Sequence, residues 1–101
     1  MHQVYLGLGT NLGDKEANLK AAIEEIRKRV GEVTSLSAFH TSEPWGFKSG
    51  NTFLNAVCCV HTVLSPKEIL SITQEIEREL GRKKKSVGGI YSDRMIDIDI
   101  L

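Results

Sequence analysis

Two aspartates, Asp97 and Asp99, are the residues whose type and spacing point most directly to chemistry. They stand two residues apart in the run 96–101, which is otherwise apolar and β-branched and therefore predicts a strand. Side chains alternate between the two faces of a strand, so both carboxylates lie on one face, about 7 Å apart along the backbone. A divalent cation that prefers oxygen ligands would offset their mutual repulsion. A solvent-facing edge strand with an acidic face is the alternative interpretation.

Other polar residues stand where they could contact an anion or a heterocycle. The basic run 82–85 is typical of solvated charge, yet beside metal-binding carboxylates it also suits triphosphate chemistry. Gln74 and Glu77 lie three residues apart on a predicted helix, where they face either a site or solvent. Asn55 stands in an apolar strand, and a buried amide must be hydrogen-bonded, either to a ligand or within an internal network.

The composition excludes several kinds of partner. Thirteen basic residues balance thirteen acidic ones, so no net charge attracts nucleic acid or a membrane surface. No apolar run approaches the ~20 residues that a membrane span needs, and the N-terminus enters a strand pattern without a targeting segment. We therefore expect a cytoplasmic protein with neither a nucleic-acid nor a membrane partner.

The cysteines and histidines show no metal-binding pattern. Cys58 and Cys59 are adjacent and would face opposite sides of a strand, which predicts small buried hydrophobic residues rather than a disulfide. The three histidines lack metal-ligand spacing with each other or with the cysteines, and we interpret them as structural.

Glycines mark the first predicted turn of the chain. A dinucleotide-binding fingerprint that begins with Gly7 and Gly9 would require a third glycine at position 12, where Leu12 stands. No P-loop lysine follows Gly13 either. We interpret all three as parts of a tight turn between a strand and a helix.

Apolar periodicity and turn residues divide the chain into strand, helix, strand, strand, helix and strand. The predicted elements are a strand at 4–8, a helix between the cap Asp14 and Gly31, strands at 33–40 and 53–63, a helix from Ser65 to Gly81 and the strand with the two aspartates. Residues 41–51, which include Pro44 and two glycines, form a loop long enough to be functional.

This order predicts an α+β fold, a ferredoxin-like βαββαβ core with two helices on a mostly antiparallel sheet. At 101 residues the chain forms one domain over 1–101. Its sequence stops within an apolar strand, from which we expect that the C-terminal part of the domain is missing. We expect such a fragment alone to be weakly active or inactive.

Five blocks of the chain, in order and with matching spacing, resemble the 6-hydroxymethyl-7,8-dihydropterin pyrophosphokinases of folate biosynthesis. The blocks are 5–14, 44–46, 53–56, 74–82 and 93–101. The resemblance implies a ferredoxin-like core that transfers the terminal pyrophosphoryl group of ATP to the hydroxymethyl oxygen of the pterin and releases AMP. Chains of that family continue beyond the point where this one ends.

The resemblance also implies roles for residues on the nucleotide side. Asp97 and Asp99 match the aspartates that hold two Mg²⁺ ions on the ATP phosphates. Arg82 and Arg94 match phosphate-side positions and would assist the transfer as catalytic residues. The ATP-binding positions that match are Gln74, Glu77, Arg82 and Arg94.

A second set of matches lies on the pterin side. Asn55 would hydrogen-bond the pterin ring, and Phe53 would stack on it. The remaining substrate-binding matches are Ser42, Glu43, Trp45 and Tyr91. Two positions depart from the common pattern: Glu43 replaces a frequent proline, and Tyr91 stands where many members have tryptophan.

Two further functions remain open from the sequence. One is a non-catalytic ferredoxin-like module for ligand binding or interaction, and the other is a nucleotidyltransferase, which would release pyrophosphate instead of AMP. Beside ATP and the pterin, the expected partners are a second copy of the chain or a fused folate enzyme.

Overall fold

The computed structural model describes residues 1–42, 52–81 and 96–101. Five strands and two helices follow one another along these residues. In chain order they are β1 (His2–Thr10), α1 (Lys15–Arg29), β2 (Glu32–Leu36), β3 (His40–Ser42), β4 (Phe53–Thr62), α2 (Pro66–Gly81) and β5 (Asp97–Ile100).

The strands form one sheet in the order β2-β4-β1-β5, and β3 pairs with β4. Every pairing among the described strands is antiparallel. The two central strands, β1 and β4, are therefore neighbours in space although 42 residues separate Thr10 from Phe53 in the sequence. In chain order, that intervening segment contains α1, β2 and β3. This strand order confirms the predicted α+β fold with two helices on an antiparallel sheet, consistent with a ferredoxin-like core.

Both helices begin where their capping residues predict. Asp14 accepts a hydrogen bond from the Ala17 N–H at 3.1 Å and caps α1. At the start of α2 the Ser65 Oγ accepts from the Glu68 N–H at 3.2 Å, and the Glu68 carboxylate accepts from the Ser65 N–H at 2.8 Å. This reciprocal pair is a capping box. The bonds from the Ser65 backbone and side chain lower the pKa of the Glu68 carboxyl.

The helices cover one face of the sheet and bury the core there. Inward-facing residues of β1, β4 and β5, such as Leu6, Val60 and Ile98, pack against α1 and α2 in one apolar cluster. The helices are also joined at the surface, where Arg29 on α1 donates hydrogen bonds to Glu75 and Glu79 on α2. The helices thus occupy one side of the sheet, and the opposite side is left for a site.

Three predicted boundaries were wrong. Gly7 and Gly9 lie within β1 and only Gly13, with φ 65°, stands in the turn before α1. The predicted strand 33–40 is split after Leu36, because the side chain of Ser37 takes the place of its backbone carbonyl in the pairing with β4. The Ser37 N–H donates to the Val57 carbonyl at 2.8 Å, whereas the Val57 N–H donates to the Ser37 Oγ at 2.9 Å. The chain pairs again only at His40, so Ser42 belongs to β3 and not to a loop.

The cysteines are as predicted: Cys58 and Cys59 are free and buried. Burial raises the pKa of the Cys58 thiol to about 11. Neither described helix is long and apolar enough to cross a membrane.

Candidate active site

The open face of the sheet, opposite the helices, carries a cleft of about 350 Å³. Its lining comes from four strands and the residue after β5: Gly7, Leu8, Gly9, His40, Phe53, Asn55, Ala56, Val57, Asp97, Asp99 and Leu101. Four of the residues predicted from the sequence, two aspartates, an aromatic residue and an amide, meet in this cleft.

The strand register explains how residues far apart in the sequence come together. Asp97 lies opposite Gly9, Gly9 opposite Asn55, and Asn55 opposite His40. These four residues form a row across the open face. Neighbouring strands lie about 4.8 Å apart, so the backbones of Asp97 and Asn55 are separated by roughly 10 Å. A glycine stands between them, and the row therefore forms a trough with a carboxylate on one side and an amide on the other.

Asp97 and Asp99 share the open face, as their alternation predicts. Asp99 lies opposite Gly7, one step along the same strands, while Ile98 between them is buried in the core. Asp97 is half-buried and Asp99 is exposed. Both carboxylates thus border the cleft from the edge strand of the sheet.

The donor set of the two aspartates fits Mg²⁺. Among the described residues no group of three or more His, Cys, Asp or Glu side chains forms a cage that could hold a metal. Two carboxylates are nevertheless what Mg²⁺ commonly takes from a protein, because water and substrate phosphates complete its octahedral shell. The pair is suited to a metal that arrives with a phosphate ligand.

Asn55 is held in one orientation by β3. Its Nδ2 donates to the Ser42 Oγ at 2.8 Å and to the His40 carbonyl at 3.4 Å. A carbonyl oxygen only accepts hydrogen bonds, so the amide nitrogen must face β3. The Oδ1 consequently faces β1, where it lies close to Gly9. The internal network left open by the sequence thus exists, and it directs the carbonyl oxygen of the amide toward the cleft.

Three residues predicted for the pterin side come together here. Ser42 pairs with Phe53 in the β3–β4 ladder and bonds the Asn55 side chain. Phe53 and Asn55 both face the open side of β4, since they are two residues apart. An aromatic ring and an oriented amide are the groups that a flat, polar heterocycle needs.

Gln74 and Glu77 lie elsewhere, on α2. The Glu77 carboxylate accepts a hydrogen bond at 2.7 Å from the Ile98 N–H, on the edge of β5 that faces away from β1. Gln74 is exposed one turn earlier on the same helix. Neither residue lines the cleft, although Glu77 bonds the strand that carries the aspartates. The other predicted site residues, Glu43, Trp45, Arg82, Tyr91 and Arg94, lie outside the described residues.

Sequence reasoning assigns to a site only four of the residues that line the cleft, and Gly7, Gly9 and His40 are among those that it misses. Clustering with Gly13 predicts a turn for the two glycines, although a glycine inside a strand is itself a signal for close approach of another group. His40 was interpreted as structural, and only its pairing with Asn55 brings it to the cleft.

Comparison with known proteins identifies the family. Residues 5–101 match the family model of 7,8-dihydro-6-hydroxymethylpterin-pyrophosphokinase, HPPK. The chain belongs to this family, as the resemblance predicts. The match includes all seven described elements except the first three residues of β1.

Individual relatives agree with the family model. A 2-amino-4-hydroxy-6-hydroxymethyldihydropteridine pyrophosphokinase of Porphyromonas gingivalis is 58% identical over 98 residues, which are 97% of this chain and 67% of the relative. One of the same name from Aquifex aeolicus is 41% identical over 101 residues, 100% of this chain and 61% of the relative. The folic acid synthesis protein fol1 of Schizosaccharomyces pombe is 38% identical over 98 residues, 96% of this chain and 13% of that much longer protein. The chain therefore spans about two thirds of the single-function relatives.

Proposed function

We propose that this protein transfers the pyrophosphoryl group of ATP to the hydroxymethyl oxygen of 6-hydroxymethyl-7,8-dihydropterin and releases AMP. Membership of the HPPK family supports this function over a non-catalytic module. The observation that carries it is the row across the open face, with Asp97 and Asn55 on opposite sides of Gly9. This arrangement supports a phosphate-holding side at Asp97 and a ring-holding side at Asn55, about two strand spacings apart.

On the pterin side, the protein binds and orients the substrate. Phe53 offers its ring for stacking, and Asn55 offers an acceptor oxygen that its bonds to Ser42 and His40 hold in place. Such fixed groups accelerate the reaction by alignment, because a pterin ring held in one orientation also fixes the direction of its hydroxymethyl group. The hydroxymethyl group would then extend from the ring toward Asp97 and Asp99.

On the nucleotide side, Asp97 and Asp99 would hold Mg²⁺, and we propose two ions. When bound, Mg²⁺ neutralises charge on the transferring group. The pterin hydroxyl oxygen forms a bond to the β-phosphorus, the bond from that phosphorus to the oxygen of the α-phosphate breaks, and AMP leaves. The hydroxyl proton passes to solvent. We further propose that Arg82 and Arg94 stabilise charge on the phosphates, that Gln74 and Glu77 contribute to ATP binding, and that Glu43, Trp45 and Tyr91 contribute to the pterin site.

The test is to identify the products from ATP, Mg²⁺ and the pterin by phosphorus NMR and chromatography. AMP and a pterin diphosphate are expected. Pyrophosphate with a nucleotide attached to the pterin would instead indicate a nucleotidyltransferase. No turnover with retained binding would indicate a binding module when the assayed chain has the full length of the pyrophosphokinase relatives.

The metal assignment is tested by substitution. In a chain with the full length of the relatives, Asp97→Asn and Asp99→Asn should each abolish turnover, because an amide is a poor substitute for a charged Mg²⁺ ligand. Glu32→Gln is the matched control, since Glu32 is an exposed acid on β2 at the opposite edge of the sheet. Near-normal rates in both aspartate variants would show that the metal lies elsewhere.

A further inference from the structure

Gly9 occupies the centre of the cleft floor, and its lack of a side chain has a specific consequence. A Cβ at this position would lie 3.1 Å from the Asn55 Oδ1 and 3.6 Å from the Phe53 Cδ1. The first distance is tighter than nine in ten real Cβ contacts, so Asn55 would have to shift by a few tenths of an ångström. Among the glycines of the described residues, only Gly13 has a positive φ. Gly9 is therefore needed for space rather than for backbone conformation.

Asn55 has little freedom to make that shift. Its Nδ2 is bonded to the Ser42 Oγ and the His40 carbonyl, both of which belong to the neighbouring strand β3. A rotation of the amide away from Gly9 would lengthen these bonds. Because the distance to Ser42 is already 2.8 Å, a shift directly toward it is opposed by contact. The orientation of the Asn55 carbonyl thus depends on open space above Gly9.

We propose that Gly9 is a positioning residue for pterin binding, an inference that rests on the proposed function. Its bare backbone lets Asn55 direct the Oδ1 across β1, and it leaves the space through which the edge of the heterocycle reaches this oxygen. The ring donates an N–H to the Asn55 Oδ1 directly above Gly9. A Cβ at position 9 displaces this acceptor oxygen.

Gly7 lies on the same face of β1 and shows that this role is not shared by every glycine of the floor. The three atoms nearest to a Cβ at Gly7 would all belong to the side chain of Leu101, at 3.5 to 3.7 Å. Those are ordinary van der Waals distances to the end of a flexible side chain. The same added methyl group therefore has different consequences at two positions only two residues apart.

The first experiment measures pterin binding to Gly9→Ala in the presence of Mg²⁺ and a non-hydrolysable ATP analogue. Small displacements of positioning groups cost large factors, so pterin affinity should fall about tenfold. The affinity for the Mg²⁺–analogue complex should stay within about twofold, since Asp97 contacts the metal from the other side of the row. In Gly7→Ala the loss of pterin affinity should be much smaller. Unchanged pterin affinity in Gly9→Ala, or an equal loss in Gly7→Ala, would overturn the proposal.

A double-mutant cycle tests whether Gly9 acts through Asn55. In the Asn55→Ala background the crowded oxygen is gone, so adding Gly9→Ala should lower pterin affinity by less than about twofold further. A further loss as large as in the wild-type background would show that position 9 acts independently of Asn55. Thermal unfolding of each variant checks that the fold is intact.

A measurement on the unmodified protein does not depend on the folding of any variant. The Gly9 Hα protons should show nuclear Overhauser contacts with bound pterin, and their absence in a saturated complex would contradict the proposal. The results distinguish a failure of the proposed function from a failure of the proposed role of Gly9. A wild-type protein that neither binds pterin nor releases AMP removes the proposed function, whereas normal turnover with an unaffected Gly9→Ala removes only the role of Gly9.

Discussion

Replacing Gly31 with alanine should strongly destabilise the protein. Gly31 joins the end of α1 to β2, where the chain runs against the backbone of β4. A Cβ at this position would lie 2.1 Å from the His61 carbonyl oxygen, 3.0 Å from the His61 carbonyl carbon and 3.1 Å from the Thr62 Cα. All three atoms belong to the backbone of a central strand, so no flexible side chain can move aside. Either β2 or the end of α1 must separate from β4.

The expected loss in the free energy of unfolding follows from the contacts that this separation would disturb. Overpacking of a well-packed site costs typically 1–3 kcal/mol. At the same junction the Thr62 hydroxyl donates to the Val30 carbonyl at 2.6 Å, in a buried position. Losing this bond costs a further ~1 kcal/mol. We therefore expect Gly31→Ala to lower the free energy of unfolding by about 2–4 kcal/mol, a large part of the stability of a small domain.

Urea unfolding monitored by circular dichroism measures the effect. Gly81→Ala is the matched control, because a Cβ there meets nothing within 4 Å and the residue lies at the end of α2. Alanine at that position should be neutral or stabilise by up to ~1 kcal/mol. A Gly31→Ala variant within ~0.5 kcal/mol of the parent protein would refute the close approach of Gly31 to β4.

Three further changes have defined outcomes. Asn55→Ala should weaken pterin binding by about 1–3 kcal/mol in calorimetry, because a ring N–H loses its partner, and unchanged affinity would move the pterin site. Ser65→Ala removes the side-chain cap of α2 and should cost about 1 kcal/mol in urea unfolding. The lowered pKa of Glu68 should rise only part of the way toward its ordinary value of 4.5 in an NMR titration, because the backbone N–H of residue 65, the larger cause, still bonds the carboxylate. Since that pKa is lowered in the folded state, Glu68 stabilises the protein above pH 4.5, and this contribution should be lost as the pH falls below that value. Cys58, with its pKa raised to about 11, should react with a thiol reagent at pH 8 only after unfolding, and rapid reaction of the native protein at Cys58 would contradict its burial.

Much of the local structure was predictable because its causes are contiguous in the sequence. The caps Asp14 and Ser65 begin their helices, and the alternation around Ile98 places Asp97 and Asp99 on one face as predicted. Each of these features depends on residues a few positions apart, whose side chains bond or flank the local backbone. The family was likewise predictable, because five short blocks keep their order and spacing.

Other boundaries were not predictable because they depend on a partner strand. The split between β2 and β3 arises where Ser37 bonds Val57, which lies 20 residues later in the chain. The strand position of Gly7 and Gly9 is set by the ladders to β4 and β5, since glycine itself has no preference for a strand. Nothing near these residues in the sequence indicates those bonds.

The sequence by itself determined which residue types were available for the site: two acids on one strand, an amide and an aromatic residue on another. Only the tertiary structure decided that Asp97, Gly9, Asn55 and His40 share one row and that the gap between acid and amide is open. The physical reason is that register between strands is set by hydrogen bonds and burial across the whole sheet. A shift of one residue in any of these strands would turn its contribution to the opposite face and leave the site incomplete.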